Sequence, residues 1–190
     1  MNIGELLYKF RGYTPVPFFI AGILLANPRD DLMIFGAILM AFGELLRIIS
    51  ISYLGVSSRA RELVTDKLIT NGPYAFLRNP VYTGNMFIYM GASIFVGGWL
   101  PYMLYLVILF FSIQFSLIVK YEESGMKNTH QEKFINYRES VPRFYPRLSP
   151  YPEKSKEKMD ISSAFISEKT TFIAIIGFII LVHLVSYLKS

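Results

Sequence analysis

The sequence contains no cysteine, which excludes disulfides, thiolate metal sites and a thiol nucleophile. Imidazole is almost as scarce: His130 and His183 are the 2 histidines, too few for a multi-histidine metal centre. No internal repeat and no low-complexity tract is present. A cleavable leader is not expected either, because Glu5, Tyr8, Lys9 and Arg11 interrupt any apolar run at the N-terminus. Direct insertion into a membrane is the expectation.

What the chain does have is apolar length. Of its 190 residues 53% are hydrophobic, and the mean hydropathy is +0.39, above that of ordinary soluble domains. Residues 1–13 mix Leu6, Leu7, Tyr8 and Phe10 with charges and predict a short interfacial helix. Apolar runs follow at 14–27, 32–54, 81–98, 102–120 and 170–188. The first is shorter than the roughly 20 residues a span requires, so it must tilt or borrow from its flanks. In hydrocarbon a backbone must satisfy its own hydrogen bonds, so these runs are read as helices. The expected fold is all-α, a polytopic membrane bundle of about five transmembrane helices with a cytoplasmic cofactor pocket. Residues 1–150 form its core, and 151–190 a basic linker plus an additional C-terminal transmembrane helix.

Charge sets the expected orientation. Lys and Arg number 2 in residues 1–13, 4 in 55–80 (Arg59, Arg61, Lys67 and Arg78) and 10 in 120–169, against Arg29 and Lys189 on the opposite side. The positive-inside rule then places the N-terminus and both basic segments in the cytoplasm, and the C-terminus outside. Paired small residues, Gly36 with Gly43 and Gly84 with Gly91, recur seven apart and permit close helix–helix approach. Packing alone is sufficient reason for them.

Residues 70–91 organise the rest. Asn71-Gly72-Pro73 and Asn79-Pro80 are turn signals, and Pro80 predicts that a helix starts there. Arg78 then stands at the mouth of a membrane helix, flanked by Tyr74 and Tyr82. Arg and Tyr also serve simply as interface anchors. Within the 32–54 span, Glu44 and Arg47 are three apart, where a lone charge would cost several kcal/mol, so they pair structurally or line a cavity. Glu122 and Glu123 stand where the fourth span leaves the membrane. As adjacent like charges they would welcome a cation. Thr129-His130-Gln131-Glu132 fits a capping box, and Phe134, Tyr137 and Val141 form one stripe of a helix over 129–141 that Pro142 stops. That stripe needs the membrane surface or the ends of the spans as its partner. Val141-Pro142-Arg143-Phe144-Tyr145-Pro146 is a rigid, basic, aromatic segment. Polar groups from separate segments therefore meet at one membrane face, which suits a polar cofactor from the cytosol and a lipophilic substrate from the bilayer.

Leu68-Ile69-Thr70-Asn71-Gly72-Pro73-Tyr74, Arg78-Asn79-Pro80-Val81-Tyr82-Thr83-Gly84, Tyr121-Glu122-Glu123, and Phe134, Tyr137, Val141-Pro142 and Pro146 together resemble the isoprenylcysteine carboxyl methyltransferase and phospholipid methyltransferase superfamily. The resemblance runs over roughly residues 35–150. It implies an all-helical integral membrane enzyme that uses S-adenosylmethionine, bound in a cytosol-facing pocket with a tunnel open sideways to lipid. Carried over by position, Arg78, Asn79, Pro80, Tyr82 and Gly84 match the Arg-His-Pro-x-Tyr-x-Gly element beside the cofactor. Glu122 and Glu123 match its cofactor-binding glutamate pair, and Tyr137, Val141, Pro142 and Pro146 match the closing segment. Asn79 stands where prenylcysteine enzymes carry histidine, as it does in the phospholipid enzymes. Tyr74 is assigned with Tyr82 to the adenine wall. Arg78 and Glu44 are the catalytic candidates: Arg78 either shapes the loop or pairs with a carboxylate, and an amine acceptor would pass its proton to Glu44 or to one of the paired glutamates. No metal is expected. The expected partners are a lipophilic or lipid acceptor and the membrane, not nucleic acid. A membrane sterol reductase using NADPH shares a similar Pro-x-Tyr-x-Gly pocket. A small transporter or a non-enzymatic scaffold is the alternative from other classes.

Overall fold

The computed structural model describes residues 2–55 and 66–189. Arg59 and Arg61, part of the charge asymmetry, lie outside the described residues. Among the described residues six α-helices run in order: α1 (Ile3–Phe10), α2 (Val16–Leu24), α3 (Asp30–Leu54), α4 (Pro80–Val96), α5 (Tyr102–Ser140) and α6 (Ile161–Lys189). A 3-10 turn, Gly72–Ala75, precedes α4, and no strand occurs among the described residues.

Among the described residues three helices, α3, α5 and α6, are long and apolar enough to cross a membrane. The other two expected spans are shorter. α2 has 9 residues and α4 has 17. At 1.5 Å per residue these are about 14 and 26 Å long, against a hydrocarbon core of about 30 Å.

α1 forms where expected, closed by a capping box in which the Asn2 side chain accepts from Gly4 N–H at 3.3 Å and Glu5 accepts from Asn2 N–H at 3.4 Å. It lies against α5 with Tyr8 buried, and the Arg11 guanidinium sits 3.9 Å from the centre of the Tyr8 ring.

α3 and α4 make the most extensive helix pair. The seven-residue glycine spacing explains it: the two helices run antiparallel, so Gly36 faces Gly91 and Gly43 faces Gly84. A Cβ at Gly36 would stand 2.6 Å from the Gly91 carbonyl oxygen, and one at Gly43 would stand 2.6 Å from that of Gly84. Only hydrogen at those positions permits this approach. α4 starts at Pro80, as the Asn79-Pro80 signal predicts, and ends at Gly97, whose φ of +67° suits a residue without Cβ.

α5 carries a correction. The helix expected over 129–141 continues directly from α5, and the break between the two falls at Gln131 (φ 50°, ψ −122°). Thr129 stays in the helical run before that break, its hydroxyl donating to the Gly125 carbonyl at 3.2 Å, so the second segment starts at Glu132 rather than at a Thr129 cap. The apolar stripe is as expected, and its partner is now specified: Phe134, Tyr137 and Val141 pack with Ala75 of the 3-10 turn and Tyr151.

The segment leading to α6 is pinned rather than loose. Thr70 Oγ1 donates to the Glu153 carbonyl at 2.6 Å and accepts from Ser155 N–H at 2.9 Å, and the Asn71 amide donates to the Glu157 carbonyl at 2.5 Å. Asp160 caps α6 by accepting from Ser163 N–H and Oγ at 3.0 and 2.6 Å.

Candidate functional site

The site is built by one turn wrapped in one extended segment. Gly72, at φ +57°, allows the chain to reverse in a conformation that L residues rarely adopt. The turn that follows has few hydrogen bonds of its own, and residues 142–151 supply them. Arg78 N–H donates to the Pro142 carbonyl at 2.8 Å and Asn79 N–H to that of Arg143 at 3.1 Å. In return Arg147 and Tyr151 N–H groups donate to Phe76 and Ala75 carbonyls at 3.0 and 2.9 Å. The Asn79 side chain adds a bond to the Arg143 carbonyl at 3.2 Å. The buried Tyr137 hydroxyl donates to the Tyr74 carbonyl at 2.7 Å.

This wrapping joins the sequence motifs. Arg78 Nη2 lies 2.9 Å from Glu123 Oε1, with the two side chains only 9% and 11% exposed. Arg143 reaches the same carboxylate at 2.5 and 3.1 Å, and Arg78 Nη1 donates to the Arg138 carbonyl. Tyr82 donates its hydroxyl to Glu122 Oε1 at 2.9 Å. Arg78, Asn79, Pro80, Tyr82, Glu122, Glu123 and Tyr137 therefore share one region, although they come from three stretches of chain. Gly84 sits beside it for a steric reason: a Cβ there would meet Arg47 Cγ at 2.6 Å and the Gly43 carbonyl oxygen at 2.7 Å.

The Tyr74 hydroxyl, Arg78 Nε and Arg147 Nη1 in this region are buried and find no hydrogen-bond partner among the described residues. Burial pushes the Tyr74 phenol well above its ordinary pKa; among the smaller influences Glu122 raises it and Arg47 lowers it. That hydroxyl is thus within electrostatic reach of both the glutamate motif and α3. Burial likewise pulls the Arg78 guanidinium below its ordinary value, opposed by Glu123.

Glu44 belongs to a second buried group. As the spacing predicts, its carboxylate is ion-paired with Arg47, Oε2 lying 3.4 Å from Nε. Arg47 is also held by Glu168 of α6, with Nη2 and Nε at 2.5 and 3.2 Å from Oε2, while Nη1 donates to Asn85 Oδ1. Sequence reading missed Glu168 and Asn85. Glu168 does carry a signal, a lone acid on the helix face that continues through Ala164, Phe178 and Val182, all buried.

A cleft of about 540 Å³ borders the same turn, lined by Tyr53, Asn71, Phe76, Lys154, Glu157 and Lys158 among others. An apolar cavity of about 20 Å³ lies among Phe18, Tyr89, Met103 and Phe111. Neither is lined by Arg78 or the paired glutamates, because the two guanidinium groups already close on Glu123.

Comparison with known proteins bears on this arrangement. The chain is 24% identical over 149 residues to the cobalt-zinc-cadmium resistance protein CzcN of Cupriavidus metallidurans, a similarity covering 78% of this chain and 68% of that one. No solved structure matches it. A phospholipid methyltransferase family model matches residues 32–133, which spans α3, the wrapped turn, α4 and α5 beyond the glutamate pair. Since that match takes in more than half the chain and ties together the segments that the fold brings into contact, the chain belongs to the phospholipid methyltransferase family.

Proposed function

We propose that the protein is an S-adenosylmethionine-dependent methyltransferase acting on a lipophilic, membrane-resident acceptor. The observation that carries this reading is the meeting of the two family motifs: Arg78 on Glu123 and Tyr82 on Glu122, each at 2.9 Å, at the junction of α4 with α5. The residues fit the cofactor, because the orphaned Tyr74 hydroxyl and Arg78 Nε beside a hydrogen-bonded Glu122 are groups a polar nucleoside with an amino-acid tail would satisfy. When bound, the cofactor supplies an electrophilic methyl whose carbon–sulfur electron pair leaves with the sulfur as a neutral thioether.

The chain's share is position and exclusion of water. Glu122, oriented by Tyr82, and the Tyr74 hydroxyl hold polar groups of the cofactor. Asn79, Pro80 and Gly84 shape the wall. Tyr137 fixes the turn through its bond to Tyr74. Glu123 organises Arg78 and Arg143 and so holds the 142–147 segment over the site. The acceptor's lone pair forms the new bond to carbon. Where the acceptor carries an N–H or O–H, its proton goes to a carboxylate of the chain, Glu44 or one of the paired glutamates. The charge asymmetry supports a cytoplasmic site with the C-terminus across the membrane, and α2 and α4 complete the bundle as short spans.

The test is tritium transfer from methyl-labelled S-adenosylmethionine into lipid. Purified protein in vesicles of host-membrane lipid should yield labelled, solvent-extractable product. No label above a protein-free control rejects the reading. Tyr82→Phe removes the donor to Glu122. A hydrogen bond to a charged group is worth about 1.5–3 kcal/mol, so titration calorimetry should show about 10- to 100-fold weaker cofactor binding. Unchanged affinity would take Glu122 out of the cofactor site.

A further inference from the structure

The cleft beside the Gly72–Ala75 turn stands where two long helices reach the same end of the bundle. α3 ends at Leu54 and α6 starts at Ile161, and Asp160 N–H donates to the Ser52 carbonyl at 2.8 Å. Both helices are long and apolar enough to cross a membrane. Their joined ends therefore mark the depth at which hydrocarbon gives way to headgroups. The cleft, about 540 Å³, opens there between Tyr53, the turn and residues 150–159. Arg78, Tyr82, Glu122 and Glu123 do not line it.

Its walls are fixed. The Asn71 amide donates to the Glu157 carbonyl at 2.5 Å and Ser155 Oγ donates to Asn71 Oδ1 at 2.9 Å, which pins residues 155–157 to the turn. The Tyr53 ring lies so close to Gly72 that a Cβ there would collide with it. The lining brings three kinds of chemistry together. Lys154 and Lys158 are exposed cations, and no ion pair holds either among the described residues. Glu157 Oε2 is buried and finds no donor among the described residues. Tyr53, Phe76 and Met159 supply apolar surface, and exposed Ile161 and Phe165, one turn apart on α6, extend it toward the bilayer. Two ammonium groups against one carboxylate leave an excess positive charge, which a phosphodiester matches. The donorless Glu157 oxygen calls for a hydroxyl on the same ligand. A free phosphate leaves the apolar track bare, and a choline headgroup offers neither net charge nor a donor.

We infer that this cleft binds an anionic phospholipid of the phosphatidylglycerol type, with Lys154 and Lys158 on the phosphate, Glu157 accepting from a headgroup hydroxyl, and an acyl chain along Ile161 and Phe165. The site is separate from the one assigned to the cofactor, and it stands whether or not the protein transfers methyl groups. Basic pockets beside membrane helices at headgroup depth are a recurrent means of holding such lipids.

The experiment melts the full chain in neutral-detergent micelles carrying increasing fractions of phosphatidylglycerol, phosphatidylcholine or phosphatidic acid, or with free glycerol phosphate in the buffer. A ligand that binds only the folded state raises Tm with its concentration. Phosphatidylglycerol should do so more strongly than phosphatidic acid, which has no headgroup hydroxyl, and phosphatidylcholine and glycerol phosphate should not. Combining Lys154→Gln with Lys158→Gln should weaken apparent phosphatidylglycerol binding about 30-fold, about fivefold for each lysine, whereas Lys154→Arg with Lys158→Arg should keep it. Each variant is read against its own Tm in phosphatidylcholine, so a change in basal stability does not mask the result. Glu157→Gln should abolish the preference for phosphatidylglycerol over phosphatidic acid. Equal stabilisation by phosphatidylcholine, an equal shift from glycerol phosphate alone, a full shift in the double glutamine variant or an unchanged preference in Glu157→Gln overturns the inference.

Discussion

Glu123→Ala is expected to reduce methyl transfer by about 100-fold or more and to loosen the segment that covers the site. Glu123 is the shared acceptor of Arg78 at 2.9 Å and of Arg143 at 2.5 Å. Their environments differ. The Arg143 side chain is 41% exposed and can turn to water, so its loss counts for little. The Arg78 side chain is 9% exposed and would be left as an uncompensated buried charge, a defect costing about 3–5 kcal/mol. The backbone bonds from Arg78 and Asn79 to Pro142 and Arg143 depend on the same anchor. Cofactor affinity should fall, and trypsin should cut faster at Arg143 and Arg147. Glu123→Gln, which keeps acceptor oxygen and shape, should sit between. Unchanged affinity together with unchanged tryptic protection in Glu123→Ala would show that this ion pair holds neither the cover nor the site.

Gly43→Leu should lower stability by forcing α3 and α4 apart. A Cβ at Gly43 stands 2.6 Å from the Gly84 carbonyl oxygen and 3.0 Å from Ile88 N, both backbone atoms that cannot rotate aside. The helices must separate along the whole seam, with a cost of about 1–3 kcal/mol for overpacking and more if Gly36–Gly91 also opens. Because Gly84 belongs to the Arg78–Gly84 motif, activity should be lost with stability. Gly177→Ala is the control: a Cβ there meets nothing within 4 Å, and alanine favours helix. Thermal unfolding in detergent should separate the two clearly. Equal melting of Gly43→Leu and wild type would mean the glycine seam does not set the α3–α4 distance.

Much of this was legible in the chain because local rules are read locally. Pro80 marks the start of α4 whatever surrounds it, and the 134–137–141 stripe follows helical spacing. The start of that stripe's helix was misplaced at Thr129 because a capping pattern competes with a continuing helix, and the continuing helix won as far as Gln131. Span topology places Arg78 and the glutamate pair at one membrane face, but no rule of spacing relates residues about 45 apart closely enough to predict their contact.

The sequence by itself determined the helices, their glycine faces and the residues of the family motifs, because hydrophobic runs, Pro and Gly act over a few positions. Which distant charges meet depends on packing. Arg47 pairs with Glu44, three residues before it, but its closest carboxylate is Glu168, 121 positions away. Glu123 takes a guanidinium from each side of it in the chain. A buried charge must be neutralised by whatever group packing brings within about 3 Å, and that distance is a property of the packed bundle rather than of any stretch of it.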